Sequence, residues 1–411
     1  MVDAADSKSA VAIHVGSSPT SGTISQANTQ MEICMARRKS RPLHFDRTRD
    51  NPTAGTRIQT DPVVSDSETR MQNGENSGAS GVVTAARLSV APMMDWTDRN
   101  CRMVHRMLSR RALLYTEMVT AQAIIHGERG RLLDYDAVEH PLALQLGGSE
   151  PALLAEATRI ASDWGYDEIN LNVGCPSDRV QSGCFGAVLM TMPQLVADCV
   201  QAMQKVSPVE ITVKCRIGVD DQNPEEVLPA FIALMRDSGV RRLSIHARKA
   251  WLQGLSPREN REIPPLDYPL VHRMKAQFPD LHLSINGGIA SMDEVRGHLQ
   301  VMDGAMVGRA AYHQPWDILG QADLLWGDEP TFTNPFDAAI AMRPVIDAHV
   351  TNGGRLHQFG RHMLGMFHGR PGARGWRRLL SEGASKATDR ASALAVYDAA
   401  LAEVAAGAEA A

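Results

Sequence analysis

Cys175 closes an apolar run, Glu168-Ile-Asn-Leu-Asn-Val-Gly-Cys-Pro, in which strand-forming residues give way to a loop punctuated by Gly174 and Pro176. A thiol placed where a strand stops sits at the edge of a rigid scaffold, which is where reactive groups concentrate. A cysteine taken alone is more often a small buried hydrophobe than a reagent. What changes the reading here is a set of polar residues at equivalent points of other short runs: Gln145, Asn172, Lys214 with Arg216, His246, and Asn286 followed by Gly287 and Gly288. A thiol, an amine, an imidazole and several amides on one rim could bind a flat polar ligand, hold charge beside it and move a proton.

The elements that must position them follow from periodicity. Short β-rich runs at 88–92, 113–118, 142–146, 168–172, 210–216, 242–246, 282–286 and 304–307 alternate with amphipathic stretches such as 151–164, 192–206, 224–238 and 291–300. Eight strands alternating with helices predict an α/β fold, a (β/α)8 TIM barrel, and in that fold the C-terminal strand ends share one active face. The barrel is expected over 86–325. A small all-helical domain is expected over 326–411, where helical periodicity sets in from Phe336.

Residues 1–85 differ from the rest. They are rich in Ser, Thr, Gly, Asn and mixed charge, with Phe45 the sole aromatic, and are expected to form a disordered low-complexity extension because they cannot bury enough apolar surface to offset chain entropy. Met31, Met35 and Met71 are equally compatible with a later start of the chain. No secretory signal and no membrane-crossing apolar run are read from the sequence. The six cysteines, at 34, 101, 175, 184, 199 and 215, form no C-x-x-C pair and no Cys/His ligand spacing, so no structural metal is expected and a reducing cytoplasm is. The net charge of −5 excludes a global electrostatic footprint for nucleic acid and leaves only local patches.

Two loops look built for phosphate. Asn286-Gly-Gly-Ile closes the seventh run and Gly304-Ala-Met-Val-Gly-Arg the eighth. In such barrels these loops recurrently bring backbone N–H groups and a helix N-terminus to a phosphate, and Arg309 would add charge. With no G-x-G-x-x-G after an opening strand and no G-x-x-x-x-G-K-[ST], a mononucleotide such as FMN suits the site better than a tightly bound dinucleotide. Lys214 fits, since a cation beside the flavin N1/C2=O edge favours the reduced ring. Gln145 and His246 are placed to hydrogen-bond the ring or the substrate.

Together, Ala91-Pro-Met-Met-Asp-Trp-Thr-Asp-Arg, Asn170-Leu-Asn-Val-Gly-Cys-Pro-Ser-Asp-Arg-Val, Val213-Lys-Cys-Arg-Ile-Gly, His246-Ala-Arg-Lys and Asn286-Gly-Gly-Ile resemble the tRNA-dihydrouridine synthase family. The segment from His246 to Glu262, with Trp251 and Ser256-Pro-Arg-Glu-Asn-Arg-Glu, is similar to its A-type branch, and the resemblance runs from about Leu88 to about Ser381. It implies reduction of the uridine C5–C6 bond at positions 20 and 20a of the tRNA D-loop, with FMN as cofactor and NADPH (or NADH) as co-substrate. It also implies Cys175 as the general acid toward C5; a thiol, with an ordinary pKa of about 8.5, is mostly protonated near neutrality. Pro92, Met93, Met94, Gln145, Lys214, His246, Asn286, Gly287, Gly288, Gly308 and Arg309 would hold the flavin. Asn172, Arg258, Arg261, Arg374 and Arg377 would contact tRNA. The departures are Cys184, a second thiol near the active loop to which no role is given, and the N-terminal extension.

The C-terminal segment offers a candidate RNA surface: Arg355, Arg361, Arg370, Arg374, Arg377 and Arg378, interleaved with Phe359, Phe367 and Trp376, with no acid between 354 and 378. Arginines and aromatics in alternation suit phosphate neutralisation and base stacking. A related FMN barrel oxidoreductase acting on a free pyrimidine would share the phosphate loops and Lys214 without needing this appendix, and a monomer in the cytoplasm is expected in either case.

Overall fold

In a computed structural model the described residues are 77–177, 180–181 and 183–409. Within them eight parallel strands form one sheet: β1 (Leu88–Val90), β2 (Leu114–Thr120), β3 (Leu142–Gly147), β4 (Glu168–Val173), β5 (Glu210–Arg216), β6 (Arg242–His246), β7 (His282–Asn286) and β8 (Gly304–Val307). Each strand from β2 onward pairs with its sequence neighbour, and β1 pairs with β8. The remaining seam is closed by Val90 N–H donating to Leu113 O at 2.9 Å and Leu113 N–H donating to Leu88 O at 3.0 Å. The result is the expected barrel, with the four strands from β5 to β8 bounded as the sequence predicts.

Local sequence explains the helices around it. Proline at the first helical position opens Pro151–Ser162, Pro193–Gln204 and Pro224–Asp237, where its missing N–H costs nothing. Asn223, Ser291 and Asp98 cap their helices through side-chain acceptors. β3, β4, β6 and β8 are buried along their whole length, as parallel strands covered on both faces must be.

Three expectations are corrected. The last nine residues of the stretch expected to be disordered form a helix, Ser77–Ala85, whose Val82 and Ala85 pack with Leu113, Tyr115 and Met306. Residues 1–76 lie outside the described residues. Next, Arg390–Ala408 is long and apolar enough, by length and composition, to cross a membrane, although no such run is expected from the sequence. Alanine makes it so, and Ala393, Tyr397, Ala400 and Val404 on it are buried, with Tyr397 Oη donating to Ala339 O at 2.7 Å. Finally, the aromatics expected to stack on bases are core: Trp376, Phe367 and Phe359 are buried, Trp376 packs edge-on against Phe367, and its Nε1 donates to Met363 O at 2.8 Å. A small helical unit needs large apolar side chains to fill its centre, and these are the ones it has.

Barrel and helical region share one contiguous apolar core. At their junction Asp98 takes His362 Nε2 at 3.0 Å and also Arg361, while Tyr312, stacked on Trp96 at 4.4 Å, meets the His362 ring edge-on at 5.7 Å. Gly365 admits no side chain there, since a Cβ would collide with the carbonyl of His313.

Candidate active site

The barrel register assembles the site. Asn172 on β4 stands beside Lys214 on β5, Arg216 beside His246, and His246 beside Asn286 on β7. Side chains at these positions line a cavity of about 1350 Å³ at the C-terminal face. Pro92, Met93, Met94, Gln145, Asn172, Cys175, Lys214, His246, Arg261, Asn286, Gly287, Gly288, Gly308 and Arg309 are all brought to it. Arg258, Arg374 and Arg377 are not among its lining residues.

The thiol is held by its own loop. Cys175 N–H donates to Asn172 Oδ1 at 3.0 Å, Gly174 N–H donates to the same oxygen at 3.1 Å, and Cys175 Sγ lies 3.4 Å from Ser177 Oγ. Asn172 is therefore the residue that folds the loop back on the strand end. Cys175 is partly exposed toward the cavity, whereas Cys101, Cys199 and Cys215 are buried.

Lys214 donates to Asn286 Oδ1 at 3.1 Å. Burial, with Arg216 nearby, brings its ammonium down to about 8. The same burial, followed by the charges of Arg216 and Lys214, holds the His246 imidazole well below its ordinary value and hence neutral. A hydrogen-bonding but uncharged ring thus sits next to a cation. Gly287 has φ 110 and Gly288 φ 73, and a Cβ on Gly287 would collide with the His246 ring. Only glycine allows backbone and imidazole to approach this closely.

The donor set and the space suit a flat, phosphorylated ring. The two glycines leave a cradle that side chains would fill, Lys214 faces the cavity from β5, and Arg309 lies on the rim next to Gly308. Arg309 reaches across to the loop after β6, donating to Glu262 Oε1 at 2.8 Å and Arg261 O at 3.3 Å. Arg258 also pairs with Glu262, at 3.6 Å.

Two residues have a larger part in the site than their sequence positions suggest. Arg216, in sequence one more polar group at a strand end, is 3% exposed and joins two loops, donating from Nε to Gly174 O and from Nη1 to Lys249 O and Asn260 O, each at 2.9 Å. Glu117, in the middle of β2, lines the cavity and accepts from Asp95 N–H, with its carboxyl pushed up by burial. Its signal in the sequence is an acid interrupting an otherwise uncharged strand.

On the helical region, Arg361, Arg370 and Arg378 pair with Asp98, Asp317 and Glu403. The missing acids of that segment are supplied from elsewhere in the chain. Among the described residues no ion pair joins Arg374 or Arg377, which leaves this pair as the open cationic face of the Ala373–Arg378 helix.

Residues 89–404 match the family model described as dihydrouridine synthase (Dus). The tRNA-dihydrouridine(20/20a) synthase of Escherichia coli O6:H1 is 57% identical over 307 residues, covering 74% of this chain and 92% of that protein. The protein of the same name from Xanthomonas campestris pv. campestris is 55% identical over 300 residues, covering 73% of this chain and 89% of that one. A solved old yellow enzyme homologue from Zymomonas mobilis overlays with a TM-score of 0.43 at 13% identity, covering 59% of this chain and 89% of that chain. By the extent of the match and the identity with these relatives, the chain belongs to the dihydrouridine synthase family.

Proposed function

We propose that the protein reduces the C5–C6 bond of uridine to dihydrouridine at positions 20 and 20a of the tRNA D-loop, with FMN as resident cofactor and NADPH as reductant. The observation that carries this reading is the Cys175 thiol on the cavity rim with Lys214 one strand away and a neutral imidazole behind it. When bound, the flavin supplies hydride to uracil C6. Cys175 Sγ gives its proton to C5, and Asn172 keeps the loop, and so the thiol, at a fixed height. Lys214 would place positive charge beside the flavin ring, Gln145, His246 and Asn286 would bond its polar rim, and Gly287, Gly288, Gly308 and Arg309 would receive the phosphate. The tRNA base must leave its stack to enter, at a cost of a few kcal/mol. Arg258 and Arg261 near the mouth, with Arg374 and Arg377 on the helical region spanning 326–411, offset it by holding phosphates. We assign the enzyme to the cytoplasm, acting as a monomer.

Cys175→Ala tests the reading. Flavin content and flavin reduction by NADPH, followed by stopped-flow absorbance, should stay at the parent level, while dihydrouridine in tRNA, counted by mass spectrometry, should fall by about 100-fold or more. Parent-level dihydrouridine from that variant would remove the general-acid role.

A further inference from the structure

A line of hydrogen bonds runs down the barrel from the Cys175 loop to its floor, and it has only one possible direction. At the floor, Glu168 accepts from three side chains: Tyr115 Oη donates to Oε1 at 2.6 Å, Thr212 Oγ1 donates to the same oxygen, and Arg242 Nη2 donates to Oε2 at 2.6 Å. Thr212 has one hydroxyl proton and gives it to Glu168, so its oxygen can only accept from the next group. Asn170 meets it with Nδ2 at 2.8 Å. That turns Asn170 Oδ1 toward Gln145 Nε2, at 2.8 Å, and Gln145 Oε1 toward Asn172 Nδ2, also at 2.8 Å. Asn172 Oδ1 then faces the N–H groups of Gly174 and Cys175.

Both ends of this line are fixed by chemistry. Backbone N–H groups can only donate, and the floor carboxylate only accepts, so the three amides between them have one consistent orientation. Glu168, Asn170 and Thr212 are buried and lie off the cavity, which denies a flipped Asn170 amide a water partner and so fixes the amides above it. The orientation matters at the top, where Gln145 and Asn172 line the cavity and Asn172 holds the thiol's loop.

We propose that Glu168, Thr212 and Asn170 are positioning residues for the reaction: acting through Gln145 and Asn172, they set which amide atoms face the ligand and where Cys175 sits. The proposal rests on the reading of Cys175 as proton donor. Its members touch neither substrate nor cofactor.

Thr212→Val and Thr212→Ser in the full-length, flavin-loaded protein test it. Valine keeps the shape and removes the hydroxyl, leaving Asn170 Nδ2 without an acceptor and its amide free to turn. Thr212→Val is loaded at saturating FMN and its rates are referred to bound flavin. Its kcat for tRNA reduction should fall by about tenfold or more with little change in KM, and alkylation of Cys175 by iodoacetamide, followed by peptide mapping, should change by about threefold or more. Thr212→Ser should restore both to within about twofold. If Thr212→Val does not fold, Thr212→Cys, of nearly the same size with a weak donor and acceptor, should show the same changes at lower amplitude. Parent-like kcat and parent-like alkylation in the valine variant, or in the cysteine variant when that stands in for it, would overturn the proposal. If the parent itself forms no dihydrouridine, the functional reading fails, while the alkylation comparison still decides whether the line of amides positions the thiol.

Discussion

Replacing Arg216, itself a lining residue of the cavity, with methionine should loosen the site by untying two of its loops. The guanidinium joins the loop after β4 to the loop after β6 through three backbone carbonyls, and its side chain is almost wholly buried. Methionine fills much of the same volume and donates nothing. A buried carbonyl left without a partner costs about 1–3 kcal/mol; Asn260 is buried and Gly174 and Lys249 half-buried, so the three give at most roughly 3–9 kcal/mol before relaxation. Against this stands the desolvation of the cation, which lowers its pKa to about 10; a drop of that size from the ordinary guanidinium value corresponds to roughly 3 kcal/mol recovered when the charge is removed. A net loss of about 3 kcal/mol is the central expectation, a substantial part of the ~5–15 kcal/mol that stabilises ordinary domains. Urea unfolding followed by far-UV circular dichroism measures it, and because Gly174 precedes Cys175, a faster alkylation of Cys175 should accompany it. Arg216→Lys should recover only part, since one ammonium cannot reproduce a planar fork. An Arg216→Met protein with the parent urea midpoint and the parent alkylation rate would refute the clamp.

Arg374→Glu with Arg377→Glu should weaken tRNA binding strongly and make the log–log salt dependence shallower by roughly one unit for each phosphate no longer neutralised, with flavin reduction unchanged; filter binding at several salt concentrations checks this. A chain beginning at Ser77 should fold like the full one, whereas one beginning at Arg87 loses the burial of Val82 and Ala85 and the acceptor of Trp326 Nε1 on Thr84 O, about 2–3 kcal/mol by thermal or urea unfolding. Because the Lys214 ammonium titrates at about 8 before flavin binds, its charge is present below that pH and lost above it, so FMN affinity should fall roughly tenfold between about pH 7 and about pH 9 in fluorescence titrations, and Lys214→Met should abolish the step.

The barrel was legible because its strands are short β-rich runs at regular spacing, and because most of them end in a polar residue that would be wasteful in a core. Those ends named the polar groups that the cavity draws from β3 and β5 to β7, including Gln145, Lys214, His246 and Asn286. Arg216 shows what such reading misses: its partners are carbonyls of two distant loops, and a carbonyl carries no residue-type signal. Phe367 and Trp376 mislead because an aromatic between arginines looks the same in a binding strip and in a packed helix until its neighbours are known. The Ser77–Ala85 helix was hidden by composition, since two small apolar residues suffice to dock it. Glu168 and Thr212 sit at the start and middle of strands, where polar residues read as ordinary strand content, and their joint role needs the cross-barrel register.

The junction between barrel and helices is stiff in every component: an acid held by an arginine and a histidine, stacked rings, and a backbone approach too close for any side chain at Gly365. Helices docked in this way do not swing as a hinged arm. On the proposed function they would serve as a ruler, keeping the span from the Arg374 and Arg377 face to the Cys175 thiol constant from one turnover to the next. If the phosphates gripped at one end belong to a fixed part of a folded RNA, the nucleotide that arrives at the other end is chosen by length and angle, with no reading of the bases around it. Changing which position is modified would then call for moving the arginines along the surface, and redesigning the pocket would leave the choice as it was.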